Sequence, residues 1–239
     1  MAPNVLFVLT SHDAMGDSGN KTGWYLPEFA HPYNVLKDHV KITIASPNGG
    51  EAPLDQGSVE AFKADEEAQN FYKTQEALWK NTQRLSSFIG HAKEFDAIFY
   101  VGGHGPMFDL ATDPISHKLI NEFYESGKVV SAVCHGPAAF VNVKLASGEH
   151  LLAGQTVTGF SNTEEDTAGA TKYMPFKLED ALNDASGGKF VKAKQDWGPK
   201  VVIGHGGRLI MGQNPASAGP VGQAIYNAIF GEETTGEEV

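Results

Sequence analysis

The only cysteine of the chain, Cys134, stands beside His135 in the run Lys128-Val129-Val130-Ser131-Ala132-Val133-Cys134-His135-Gly136-Pro137-Ala138-Ala139. A thiol becomes a good nucleophile when a neighbouring base takes its proton, and imidazole titrates closest to neutrality. The run reads as a buried strand that turns at Cys-His into a helix opened by Gly-Pro, the strand–nucleophile–helix elbow of several α/β hydrolytic folds. At such a turn the thiol sits at the carboxyl end of the sheet, where the following amides and the helix amino terminus favour a thiolate. The plainer alternative is a structural cysteine, because cysteine is among the most buried residue types. The adjoining histidine and Gly-Pro turn weigh towards the nucleophile.

Other groups are placed to serve that thiol. The turn Gly102-Gly103-His104-Gly105-Pro106 follows a strand candidate, and its glycines allow close backbone approach, so an amide here can donate to an oxyanion beside Cys134. Neighbouring βα units bring their turns to one sheet edge. Glu28 falls in the first turn of the helix after the first strand, among aromatic and apolar neighbours. It is either an amino-terminal helix charge or a carboxyl group whose pKa the surroundings raise into the range useful for proton transfer. In Ser161-Asn162-Thr163-Glu164-Glu165-Asp166 the spacing from Ser161 to Glu164 matches a capping box. Glu165, one further on, is a candidate to orient His135 as the third member of a nucleophile–base–acid set, and spacing alone leaves Glu164 and Glu165 both open. Asp196-Trp197-Gly198-Pro199 and Gly212-Gln213-Asn214-Pro215-Ala216-Ser217-Ala218 read as loop and helix-start elements whose amides can line a pocket.

Other chemistries are excluded or disfavoured. The nine histidines form neither an HExxH motif nor an i, i+4 pair, so no metal site is expected. Gly16-Asp17-Ser18-Gly19-Asn20-Lys21-Thr22 lacks the Gly-Lys spacing of a phosphate-binding loop. One cysteine precludes an intrachain disulfide, a multi-cysteine metal centre and an intrachain dithiol cycle. With 18 Lys and Arg against 29 Asp and Glu, a formal charge of −11, the chain repels a phosphate backbone, and nucleic acid is not an expected partner. The first apolar run is too short for a signal peptide and no stretch reaches membrane-span length, so a reducing, soluble location is expected, the cytoplasm and also the nucleus.

The elements that must position these groups alternate short apolar runs with longer stretches of helical period. That is the pattern of an α/β, flavodoxin-like three-layer sandwich with a mostly parallel sheet. Strands are predicted at Val5–Thr10, Lys41–Ser46, Ala97–Val101, Val129–Val133, Thr156–Phe160 and Val201–Ile203, and helices at Pro27–Asp38, Pro114–Ser126, Gly136–Val143, Phe176–Ala185 and Ala216–Phe230. Ile203 to Ile210 reads as a hairpin with a glycine turn. A single domain over 1–239 is expected, interrupted at about 48–93 by an insert with helical stretches at Phe62–Tyr72 and Gln75–Leu85, read as a lid or an oligomer contact. The acidic end from Gly231 to Val239 is expected to fray.

Taken together, the elbow Ala132–Ala138, the turn Gly102–Gly105 and Gln213–Ala218 resemble the ThiJ/PfpI superfamily, of class I glutamine amidotransferase-like fold. Lys21-Thr22-Gly23, Glu28 before His31-Pro32, and Thr158-Gly159-Phe160 with Glu165 five residues on are similar to its glutathione-independent glyoxalase (glyoxalase III), heat-shock-protein-31-like branch. The resemblance implies Cys134 as nucleophile, His135 as its partner, Glu165 as orienting acid and Glu28 as the carboxyl beside the cysteine, with the amides of Gly103 and His135 forming the oxyanion hole. It implies a cofactor-free lyase converting methylglyoxal or glyoxal, methylglyoxal going to D-lactate, and a homodimer. The alternatives it carries are a stress-response holding chaperone for unfolded client proteins with a redox-sensing cysteine, a deglycase and a cysteine peptidase.

Overall fold

The computed structural model describes residues 2–231. Its strands are β1 (Asn4–Val8), β2 (Lys41–Ser46), β3 (Gln83–Arg84), β4 (Ala97–Tyr100), β5 (Val129–Val133), β6 (Val201–Gly204) and β7 (Leu209–Gly212). They form one sheet in the order β3-β2-β1-β4-β5-β7-β6. All neighbours are parallel except the β6–β7 hairpin, so the α/β class and the mostly parallel sheet are as the sequence pattern predicts. Chain order reverses between β1 and β4, which puts a crevice at the carboxyl ends of these strands.

The main helices are α1 (Leu26–Leu36), α2 (Gln56–Ala61), α3 (Glu66–Thr74), α4 (Glu76–Lys80), α5 (Pro114–Glu125), α6 (Asn162–Thr167), α7 (Leu178–Ser186) and α8 (Ala218–Phe230). Every residue of β5 is buried, and both α5 and α8 pack on it, which accounts for its uninterrupted apolar run. Helix α1 lies against α8 where Gly222 faces Pro32 and Val35.

Several expected elements differ. Thr156–Phe160 is no strand: Val157 makes a single bridge to Phe190, and Phe160 N–H donates to Cys134 O. Its apolar character reflects burial, while the free edge of β5 is taken by β7. Gly136–Val143 shrinks to one 3₁₀ segment, Gly136–Phe140, before a stretch containing Val141 and Val143, both weak helix formers. The helical stretches of the insert become α3 and α4, shorter than predicted, and the elements there that the pattern does not show include α2, the edge strand β3 and short 3₁₀ turns at Leu85–Phe88 and Ala92–Glu94. The acidic end from Glu232 onward lies outside the described residues.

The α1–α8 contact leaves no room for a side chain at Gly222, where a Cβ would lie 2.8 Å from Pro32 Cα, whereas a Cβ at Gly219 would meet only His31 Cβ at 4.0 Å. Gly222→Val is expected to lose about 1–3 kcal/mol of stability through overpacking. Gly219→Ala should lose nothing, because alanine is the better helix former. Urea unfolding midpoints of the two variants check this, and equal losses would contradict the close approach.

Candidate active site

Cys134 leaves β5 with φ 61°, the left-handed conformation that side chains other than glycine rarely adopt. Its N–H donates to Gly212 O (3.0 Å) and its carbonyl accepts from Phe160 N–H (2.9 Å), so two distant segments hold the strained residue. The side chain is buried, and Sγ lies 3.4 Å from His135 Nδ1.

The other His135 nitrogen, Nε2, is 2.5 Å from Glu165 Oε2. The second oxygen of that carboxylate, Oε1, is 2.6 Å from Nε2 of His104, so one carboxylate bridges two imidazoles whose rings pack 4.2 Å apart. Burial alone would raise the pKa of Glu165, but the two histidines outweigh it and hold the carboxyl well below the usual range. His135 is pushed down by burial, against the pull of Glu165 and with the help of charge on His104.

Glu28, in the first turn of α1, is fully buried and neither carboxyl oxygen has a geometrically sound hydrogen bond. The polar groups that face it are Cys134 Sγ and the amides of Gly102 and Gly103, and burial drives its pKa far up. The Cys134 thiol is also pushed up, by burial first and then by any negative charge on Glu28, while the Gly103 amide favours its anion. Two acids therefore face each other across a dry contact, where burial holds a proton on each of them. A Cβ on Gly102 would overlap Glu28 Oε2, and Gly103 at φ 95° is pressed against Gly23 O, so this turn must be glycine.

Glu164 serves a different end. It closes the predicted capping box with Ser161, and its Oε1 accepts from Trp197 N–H, Gln213 Nε2 and Asn214 Nδ2 at 2.8–3.0 Å. The structure thus separates the two acids that spacing left open, bringing Glu165 to His135 and turning Glu164 towards the loops. Trp197, 43% exposed at φ 65°, packs edge-on to Phe160, which in turn lies against the His135 ring. In the sequence His104 is only one residue of a glycine turn. Its contact with Glu165 crosses 61 residues and has no local sequence signal.

The sequence pattern described as the DJ-1/PfpI family matches residues 23–175. The chain belongs to the DJ-1/PfpI family. It is 32% identical over 225 residues to Glyoxalase 3 of Candida albicans, covering 90% of this chain and 93% of that protein. It is 29% identical to the glutathione-independent glyoxalase HSP31 of Saccharomyces cerevisiae, over 91% of this chain and 94% of that one. The crystal structure of glyoxalase III from C. albicans superposes with a TM-score of 0.83 at 30% identity, covering 95% of this chain and 98% of that chain.

In this family member His104, His135 and Glu165 also bring potential ligand atoms within 4.8 Å of one another. Both Nε2 atoms are turned onto carboxylate oxygens, and an ionised carboxylate only accepts, so each ring must donate its hydrogen there. The set is closed by its own hydrogen bonds, and the chemistry it offers is that of a base held by an acid.

The raised Glu28 pKa has a consequence for stability. The folded chain keeps a proton that the unfolded chain releases above pH ~4.3, so this group's contribution is full below that value and is lost as pH rises towards the folded pKa. The loss runs at about 1.4 kcal/mol per pH unit for one proton. Glu28→Gln removes it, so the variant is expected to gain on the wild type as pH rises above about 4.3 in urea unfolding. A stability difference that stays constant with pH would contradict a neutral Glu28.

Proposed function

We propose that the chain is a glutathione-independent glyoxalase that converts methylglyoxal to D-lactate without a cofactor. The observation that carries the reading is the placing of Cys134 between a buried, neutral carboxyl group, Glu28, and a histidine held by a carboxylate, His135 with Glu165. An aldehyde isomerisation through a thiol needs a nucleophile and a means of moving a proton between adjacent carbons, and these groups supply both. Relatives named Glyoxalase 3 and glutathione-independent glyoxalase support an activity of this class.

In this reading His135 Nδ1 takes the thiol proton and Sγ adds to the aldehyde carbon C1. The carbonyl electron pair moves onto oxygen, faced by the Gly103 amide and the His135 amide, and oxygen then takes a proton to give a hemithioacetal. A base removes the C1 hydrogen, the C1–H electrons form the C1=C2 bond, and the ketone oxygen is protonated, giving an enediol. Return of a proton to C2, with loss of the C1 hydroxyl proton, leaves a lactoyl thioester. C1 is oxidised by two electrons and C2 reduced by two, so no outside oxidant or reductant enters. Water cleaves the thioester, releasing lactate and the thiol. His135 and Glu28 share the proton transfers, and neutral Glu28 donates towards Sγ whenever the thiolate forms.

Cys134→Ala is expected to abolish lactate formation from methylglyoxal in a glutathione-free assay while the circular dichroism spectrum stays that of the wild type. Chiral analysis of the wild-type product should return the D isomer. Turnover retained by the variant, or L-lactate as product, would overturn the proposal.

A further inference from the structure

We propose that His104 is a positioning residue for the Cys134–His135 pair, donating its Nε2 hydrogen to Glu165 Oε1 so that the carboxylate is held against His135 with half of its charge already engaged. The inference rests on the proposed function only in taking Cys134 and His135 as the reacting pair, whatever the aldehyde.

The geometry makes Glu165 dependent on this partner. It projects from α6, a helix of six residues, on a side chain with three rotatable bonds, and its side chain is only 10% exposed. Each oxygen is spoken for by one imidazole, at 2.6 and 2.5 Å. Removing His104 leaves Oε1 without a donor in a nearly dry site and turns the undivided charge onto His135. His135 then binds a proton more tightly and stays protonated to higher pH, where Nδ1 has no free lone pair to take the thiol hydrogen.

The groups that titrate around His135 are Glu165, His104, Glu164 and Cys134. Glu164 is tied into its capping box and loop contacts, which leaves His104 as the group able to change how Glu165 acts on His135.

The turn that carries His104 is itself anchored. Gly105 is pressed against Thr10, whose hydroxyl donates to Asp109, and Asp109 also accepts from the amides of Ser11 and Leu110 at 2.8 and 2.7 Å. One rigid turn therefore presents the Gly103 amide to the thiol and the His104 imidazole to the carboxylate.

The test compares His104→Phe, which keeps a ring against His135 and removes the donor, with His104→Gln, whose amide restores a donor near the Nε2 position. His135 is titrated by NMR on the ring carbons, a readout that needs no substrate. Its pKa is expected to rise by about one unit in His104→Phe and to return close to the wild-type value in His104→Gln. In methylglyoxal turnover the acid limb of kcat should move to higher pH with the same order, kcat falling roughly 10–100-fold in His104→Phe with KM little changed. Should His104→Phe fail to fold, His104→Leu supplies the donor-free comparison. A His135 titration unmoved in the donor-free variant, or a Gln variant as impaired as the donor-free one, overturns the proposal. Absence of turnover in the wild type would count against the glyoxalase reading alone, because the titration still decides the role of His104.

Discussion

Much of the structure answers to one strained residue. A cysteine at φ 61° costs on the order of 1–3 kcal/mol and persists only where the surroundings hold it. Here the restraints are the hydrogen bonds to Gly212 on one side and Phe160 on the other. The first requires β7 to sit beside β5, and the second requires the segment before α6 to cross the end of the sheet. Gly136 completes the turn, because any side chain there would overlap Tyr100 O. The sheet order at this edge and the path of the chain after it are thus conditions for presenting the thiol.

Around that thiol two carboxyl groups are held in opposite states by opposite means. Glu28 is fully buried with no sound hydrogen bond and is kept neutral by burial. Glu165 is also buried, yet two imidazoles donate to it and it is kept ionised. Environments that push two like groups apart in proton affinity are how one site holds both a donor and an anchored base. Glycines make this possible on the Glu28 side, since the space its carboxyl fills is the space a side chain at Gly102 would take.

The parts of this arrangement legible in the sequence are those with a local signature. Continuous apolar runs marked β1, β4 and β5, the alternation of Ile42 and Ile44 with polar neighbours marked β2, and the Cys-His-Gly-Pro sequence marked the turn that follows β5. A β-branched stretch misled at Thr156–Phe160, because the buried Val157 and Phe160 say nothing of whether a ladder partner is free. Strand β3 was invisible for the converse reason: Gln83 and Arg84 are exposed, and two residues carry no period. The meeting of Glu28, Cys134, His135 and Glu165 joins three separate parts of the chain, α1, the turn after β5 and α6, and the residues alone left Glu164 and Glu165 undecided. The part His104 plays was out of reach, since a lone histidine in a glycine turn looks the same whether or not a carboxylate 61 residues away turns towards it.

That pair of glutamates shows how a short helix can serve two purposes. Consecutive helical residues point about 100° apart, so Glu164 and Glu165 in the first turn of α6 must face different neighbours. Glu164 faces the loops, where it binds the Trp197 amide and the side chains of Gln213 and Asn214. Glu165 faces the histidines. The half-exposed Trp197, packed on Phe160 and through it on His135, is therefore anchored to the same helical turn as the carboxylate that holds His135. A shift of that turn would move the rim and the base together, so the Ser161 capping box, which looks like mere helix punctuation, sets the alignment of aromatic rim, histidine and thiol.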